Sequence, residues 1–152
     1  MATITARIER TSYETHLSTS SQVIVVDEPH DVGGQDRGMH PGELLAGALA
    51  SCTVITVRMY ADRKELPLDS VVAHVDYTYD PAQKQALFST KLILNGDLSE
   101  EQRIRLFEIA DRCPIHKALA NPSTFETTLV DGSGTDHCPA TAVNLETEEP
   151  RS

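Results

Sequence analysis

The stretch GELLAGALASCTVITVRMYADRKEL, residues 42–66, decides the fold of this chain. No charged side chain occurs from Leu44 to Val57. The many Leu and Ala residues favour a helix of about twenty residues, since strands are seldom that long. Apolar side chains occur all round this helix, so we expect it to be buried on every side. Fourteen uncharged residues are too few to cross a bilayer, so no membrane partner is expected.

Patterns on both sides of this helix predict an α+β fold with the order β-β-α-β-β-α-β. Ser99 and Gln102 form a predicted capping box that opens a second helix. Pro114 interrupts that helix and can begin a short third one. The predicted strands are residues 3–10, 13–26, 68–80, 86–97 and 123–130, the predicted loop is 29–41, and the two later helices are 99–112 and 114–121.

Composition restricts the classes of partner. The chain of 152 residues carries a net charge of −10, which would repel a phosphate backbone, so nucleic acid is not expected as a partner. The N-terminus has no apolar signal core, and a cytoplasmic location is the expectation. The length favours one domain over residues 1–131, followed by an acidic, flexible tail over 132–152. Because so few strands barely cover an apolar helix, we expect a homodimer that packs two such helices together.

Three cysteines in a reducing compartment are buried hydrophobes, metal ligands or redox groups. Cys52 lies in the middle of the apolar helix, where a cysteine taken alone is more often structural than catalytic. Cys113 directly precedes Pro114 and would be the N-cap of a following helix, where free N–H groups favour a thiolate. A buried cysteine at a helix junction accounts for Cys113 equally well.

A zinc site is the third reading of the cysteines. Cys113 and His116, with the adjacent pair His137 and Cys138, could supply four ligands. Adjacent residues seldom both reach one tetrahedral ion, and the second pair falls in the predicted tail. We therefore expect no metal, and we expect Cys138 to be an exposed bystander.

Two segments resemble the OsmC/Ohr family of peroxiredoxin-like thiol peroxidases. PGELLAGALASCTVITVRMYADRK is similar to the central helix of that family, and RCPIHKAL is similar to the segment around its second cysteine. VDEPHDVGGQDRG and LSEEQRIRLFEIADRCP also fit, so the resemblance runs from Thr3 to Val130. It implies an OsmC-like fold in an intertwined homodimer, with antiparallel sheets wrapped around the central helices and active sites at the subunit interface.

The resemblance also implies a role for each of two cysteines. Cys52 would be the thiolate that attacks a hydroperoxide, and Cys113 the thiol that resolves the sulfenic acid as a disulfide. An external thiol would reduce that disulfide, and no cofactor would be needed. This reaction, a defence against oxidative stress, needs two cysteines within disulfide reach, a lowered pKa at the attacking thiol and an apolar wall for the substrate.

One position departs from the family pattern. Peroxidases of the family have a glutamate ten residues before the first cysteine, paired with an arginine from the N-terminal strands. Here that position is Gly42, and Glu43 follows it, where it also suits the first turn of a helix. Arg37 and Arg10 are the candidate arginines. The alternative function is therefore an OsmC-fold protein with weak catalysis that binds a small apolar ligand or partner at the dimer cleft.

Overall fold

The long helix forms as α1, Pro41–Arg63, in the computed structural model, which describes residues 2–10 and 12–130. Its N-terminus is held by a capping box. The His40 imidazole accepts hydrogen bonds from the backbone N–H groups of Gly42 (3.0 Å) and Glu43 (3.4 Å). The Glu43 carboxylate accepts the His40 N–H at 2.9 Å. Pro41 occupies the first helical position, where a missing N–H costs nothing.

Two antiparallel sheets and three further helical segments complete the described chain, so the α+β class is confirmed. The first sheet has the order β1-β2-β3, and the second is a long β4–β5 hairpin. The elements besides α1 are β1 Thr5–Ile8, β2 Thr15–Ser18, β3 Val23–Val26, a 3₁₀ turn His30–Val32, β4 Leu68–Asp80, β5 Gln85–Gly96, α2 Glu100–Ala110 and α3 Pro114–Leu119.

The single strand predicted over 13–26 is wrong, because a turn divides it into β2 and β3. The Thr19 N–H bonds the Gln22 carbonyl at 2.9 Å, and the Thr19 hydroxyl accepts the N–H groups of Ser21 and Gln22. This side chain replaces the strand ladder with a local turn, as Thr and Ser often do. The aliphatic run that follows forms a third strand, which pairs antiparallel with β2.

The last predicted strand, 123–130, is also wrong for this chain. Thr127 and Val130 are isolated bridge positions, and no continuous strand forms there within the described residues. Phe125 and Leu129 are 74% and 72% exposed. Met1–Lys117 form one compact unit, and this segment belongs to a second one that begins at Ala118. The predicted domain boundary at 131/132 lies at the edge of the described residues and stays a prediction.

The core lies where α1 packs against α2 and the start of β4. Its buried members are Val57, Ala61, Leu68, Leu106 and Ala110. On α2, the predicted apolar side is confirmed, since its residues and Cys113 are all buried.

Burial of α1 on every side, in contrast, is not observed. The residues buried on this helix form one stripe, namely Leu49, Thr53, Val57 and Ala61. Leu45, Ile55 and Met59 are 36%, 56% and 59% exposed. By length and composition alone, α1 is long and apolar enough to cross a membrane, although its charge-free run, Leu44 to Val57, is shorter than the roughly 20 residues that a span needs. Central helices of soluble proteins meet the same criterion. The exposed side chains give α1 an apolar face that one chain leaves open to solvent.

Asp27 organises the loop that leads into α1, and the sequence analysis missed it. Its side chain is buried, 1% exposed, at the end of β3. It accepts the backbone N–H groups of Glu28 (2.9 Å), Gln35 (3.1 Å) and Arg37 (3.3 Å). Burial raises the pKa of the Asp27 carboxyl, but the three N–H groups outweigh it and lower the pKa below its usual value.

We predict that Asp27→Asn flattens the acid dependence of stability. A carboxyl whose pKa is lower in the folded than in the unfolded protein stabilises the fold at pH values above its unfolded pKa of about 3.9. This stabilisation is lost as the pH falls through the folded pKa. Chemical unfolding of the variant and the wild type should therefore differ most at neutral pH and converge below about pH 4. Asp31→Asn, in the same loop but exposed, is the control. A constant difference from pH 7 to pH 3 would contradict this role.

Candidate active site

Cys52 lies on a partly exposed face of α1. Cys52 as a whole is half-buried, and Thr56, one helical turn later, is half-buried on the same face. Thr53, the next residue along the chain, points into the core and is 3% exposed. The thiol is therefore held by the rigid middle of a 23-residue helix while part of its surface remains open.

Cys113 is the N-cap of α3, as predicted. It follows the last turn of α2, is fully buried and directly precedes Pro114, the first residue of α3. Its sulfur accepts the backbone N–H of His116 at 3.3 Å, and its carbonyl accepts the N–H of Lys117 at 3.1 Å. The sequence folds this way because the proline ends one helix and can open another.

The structure brings the two cysteines together. The side chain of Cys113 lies close enough to Cys52 to raise the pKa of the Cys52 thiol, and both cysteines are free thiols. The backbone N–H of Ile115, in the first turn of α3, and the Thr56 hydroxyl are also near enough to Cys52 to act on the pKa of its thiol. Two thiols in contact can form a disulfide once one of them is oxidised.

Within this chain, the pKa of the Cys52 thiol is raised rather than lowered. Burial is the largest cause, because it disfavours a charged sulfur, and the neighbouring Cys113 side chain adds to it. The Ile115 N–H and the Thr56 hydroxyl act in the opposite direction, since each favours the thiolate. None of these main contributions comes from a cation. The described residues of one chain therefore do not provide the lowered thiol pKa that the peroxidase reaction expected from the sequence needs.

The two supporting residues predicted from the sequence lie elsewhere. Glu43 is exposed and belongs to the capping box of α1. The Arg37 guanidinium donates to the Glu14 carboxylate at 2.7 Å and is 59% exposed. Arg37 and, less strongly, His16 lower the pKa of Glu14. Neither Glu43 nor Arg37 is therefore brought to the cysteines.

The surroundings of position 42 are crowded where the family pattern has a glutamate. A Cβ at Gly42 would lie 2.8 Å from Cε1 of His40 and 3.0 Å from Cε1 of Tyr77. Any side chain at position 42 would therefore require the His40 ring that caps α1 to shift. Arg10, the other candidate arginine, is exposed after β1.

Among the residues that the structure describes, no group of three or more His, Cys, Asp or Glu side chains could hold a metal ion. The ring of His116 lies 3.7 Å from the Asp111 carboxylate, as an ion pair when the histidine is protonated. His137 and Cys138, the other half of the considered zinc site, lie outside the described residues.

The i, i+4 spacing of Thr56 from Cys52 predicts from the sequence that Thr56 lies on the same face of the helix. The Ile115 N–H is the part of the site that sequence analysis missed. The Ile115 N–H depends on how α3 packs against α1, which no local pattern reveals.

The match to known proteins agrees with this architecture. The family model described as OsmC-like protein matches residues 33–128, well over half of the chain. No curated protein matches the sequence.

Several solved structures share the fold. An OsmC-like protein from Mycoplasma pneumoniae is 20% identical with a TM-score of 0.69, covering 80% of this chain and 88% of its own. The organic hydroperoxide resistance protein OsmC from Legionella pneumophila is 20% identical with a TM-score of 0.61, covering 78% and 88%. The organic hydroperoxide resistance protein OhrB of Bacillus subtilis is 23% identical with a TM-score of 0.55, covering 78% and 89%. At these identities the structures establish the fold, and together with the family match they lead to one conclusion: the chain belongs to the OsmC-like protein family.

Proposed function

We propose that this protein is a thiol-dependent peroxidase that reduces organic hydroperoxides through Cys52 and Cys113. The observation that carries the proposal is the proximity of these two thiols, one on α1 and one at the start of α3. Relatives of the same fold are named organic hydroperoxide resistance proteins, which supports the substrate class. The proposed role is a defence against oxidative stress.

The proposed reaction has three steps. The Cys52 thiolate attacks the distal oxygen of the hydroperoxide; an S–O bond forms, the O–O bond breaks, and the alkoxide takes a proton and leaves as an alcohol. The Cys113 sulfur then attacks the Cys52 sulfenic acid after losing its proton, which leaves as water with the displaced hydroxide. Two equivalents of an external thiol finally reduce the resulting disulfide to two thiols.

The surroundings of the site suit the first two steps. Ile55, one turn after Cys52 on the open face of α1, offers an apolar surface for the organic part of a hydroperoxide. Because Cys113 is a neighbour of Cys52, it is the thiol placed to resolve a sulfenic acid on Cys52. Prompt resolution also protects the sulfenic acid from further oxidation.

Because the pKa of Cys52 is raised, the proposed reaction needs a further group that stabilises the thiolate. We propose that the second chain of a homodimer supplies this group. A nearby cation lowers the pKa of a thiol, and none is among the main groups that act on Cys52 in one chain. Arg37 is paired with Glu14, whereas Arg10 is exposed and has no ion pair among the described residues. Arg10 of a second copy is therefore the better candidate.

Apolar surface left open by the single chain supports the same assembly. Exposed aliphatic side chains occur on α1 and on the β1–β3 sheet, including Ile55, Met59, Ile8, Val23 and Ile24. Monomeric proteins rarely leave apolar patches of this kind in contact with water. A second copy would bury such surfaces and cover the open face of α1.

For turnover, we predict that Cys52→Ser reduces organic hydroperoxide consumption by at least about a thousandfold, because the nucleophile is lost. Cys113→Ser should stop at the Cys52 sulfenic acid, which a diketone reagent labels. Turnover of both variants is measured with tert-butyl hydroperoxide as substrate and a small dithiol as reductant.

Cys138→Ser is the matched control and should turn over like the wild type. Equal turnover by Cys52→Ser and the wild type would contradict the proposal. If the folded wild type consumed no more peroxide than Cys52→Ser, the second candidate, a protein that binds an apolar ligand at the dimer cleft, would replace it. The raised pKa of Cys52 and the occupied space at Gly42 favour this second candidate.

For the assembly, we predict that analytical ultracentrifugation at micromolar concentration gives twice the 16.6 kDa mass of one chain. Met59→Glu places a charge on the exposed apolar face of α1 and should shift the protein toward the monomer. Gln83→Glu, in the exposed turn between β4 and β5, adds the same charge as a control. A wild-type protein that sediments as a monomer would refute the homodimer.

A further inference from the structure

We propose that the external thiol attacks the Cys52 sulfur of the Cys52–Cys113 disulfide, so that Cys113 is the sulfur that leaves. The inference rests on the disulfide of the function proposed above. It goes beyond that function because it gives the two sulfurs different roles in the reductive half of the cycle.

The two cysteines differ in their access to a reductant. Cys113 is fully buried, and Ile109, four residues earlier on α2, is only 5% exposed. Cys52 is half-buried, and Ile55 beside it on the open side of α1 is 56% exposed. An attacking thiolate must touch the sulfur with which it forms a bond. A thiol in solvent therefore has a path to Cys52, whereas attack on Cys113 would first have to displace part of the core.

Cys113 also has a hydrogen-bond donor in place for the charge that it gains when it leaves. The backbone N–H of His116 donates to the Cys113 sulfur at 3.3 Å. This N–H belongs to the first turn of α3, where backbone donors have no partner within the helix. A hydrogen bond to a charged sulfur is stronger than one to a neutral sulfur, so this bond favours the departure of Cys113 as a thiolate.

The opposite direction, in which Cys52 leaves, is disfavoured. The negative charge would then fall on the thiol whose pKa is raised, chiefly by burial. A thiol leaves more slowly in disulfide exchange when its pKa is higher. Access to solvent and the chemistry of the leaving group therefore select the same sulfur for attack.

The proposed reduction has two balanced steps. The external thiolate forms a bond with the Cys52 sulfur, the bond between the two cysteines breaks, and its electron pair leaves with Cys113, which then takes a proton. A second external thiolate attacks the external sulfur of the mixed disulfide and releases Cys52 as a thiolate. Two external thiols become one disulfide as the protein disulfide gains two electrons. The hydroperoxide and the reductant thus reach the same sulfur, Cys52.

The test identifies the cysteine that forms the mixed disulfide. The full-length protein is oxidised with diamide, which makes the disulfide without a peroxide, and is treated briefly with substoichiometric glutathione. N-ethylmaleimide stops the reaction and labels the cysteine that left, and mass spectrometry of the proteolytic peptides quantifies both products. Extrapolated to zero time, we expect at least about ten times more glutathione on Cys52 than on Cys113, the scale of one charge-assisted hydrogen bond.

Arg112→Gln is the matched control, because it removes the exposed cation directly before Cys113 and should leave the ratio unchanged. Equal amounts on the two cysteines, or more on Cys113, would overturn the proposal. So would a loss of the preference in Arg112→Gln, or a failure of diamide to join the two cysteines. Glutathione on Cys113 in a protein that turns over peroxide would refute this inference alone. Glutathione on Cys52 in a protein without peroxide turnover would retain it and refute only the peroxidase function.

Discussion

The packing of α2 against α1 is the constraint on which the site depends. Leu106 of α2 is fully buried against Val57 and Ala61 of α1, a contribution of about 1.5–3 kcal/mol from its side chain alone. Small residues at this contact let the two helices approach closely. Cys113 follows α2 directly, so the same packing delivers its sulfur to Cys52. The packing of the two helices, rather than a flexible loop, places the two thiols near each other.

The electrostatics of the site are less complete than its geometry. Burial at the helix junction keeps water from the sulfurs and so disfavours a thiolate on Cys52. The donors from Thr56 and Ile115 offset only part of that penalty. Among the described residues, the main groups that act on the pKa of Cys52 include the second sulfur but no cation. This deficit and the exposed apolar face of α1 are independent observations that support the same proposed homodimer.

The elements with strong local signals could be predicted from the sequence. The run from Leu44 to Val57 predicted α1, Ser99 and Gln102 form the predicted capping box of α2, and Pro114 marked the N-cap position of Cys113.

The failures have physical reasons of their own. A threonine side chain turned the predicted strand at 13–26 into a hairpin, and residues 123–130 form only isolated bridges, at Thr127 and Val130. The Ile115 and Asp27 hydrogen bonds come from tertiary packing, so no periodicity predicts them.

The most direct test of the central claim is disulfide mapping after treatment of the reduced wild type with one equivalent of organic hydroperoxide. Proteolysis without reduction, followed by mass spectrometry, identifies which cysteines are joined. The account predicts a link between Cys52 and Cys113 within one chain, with Cys138 left as a free thiol. A link that involves Cys138, or a sulfenic acid on Cys52 that Cys113 never resolves, would contradict it.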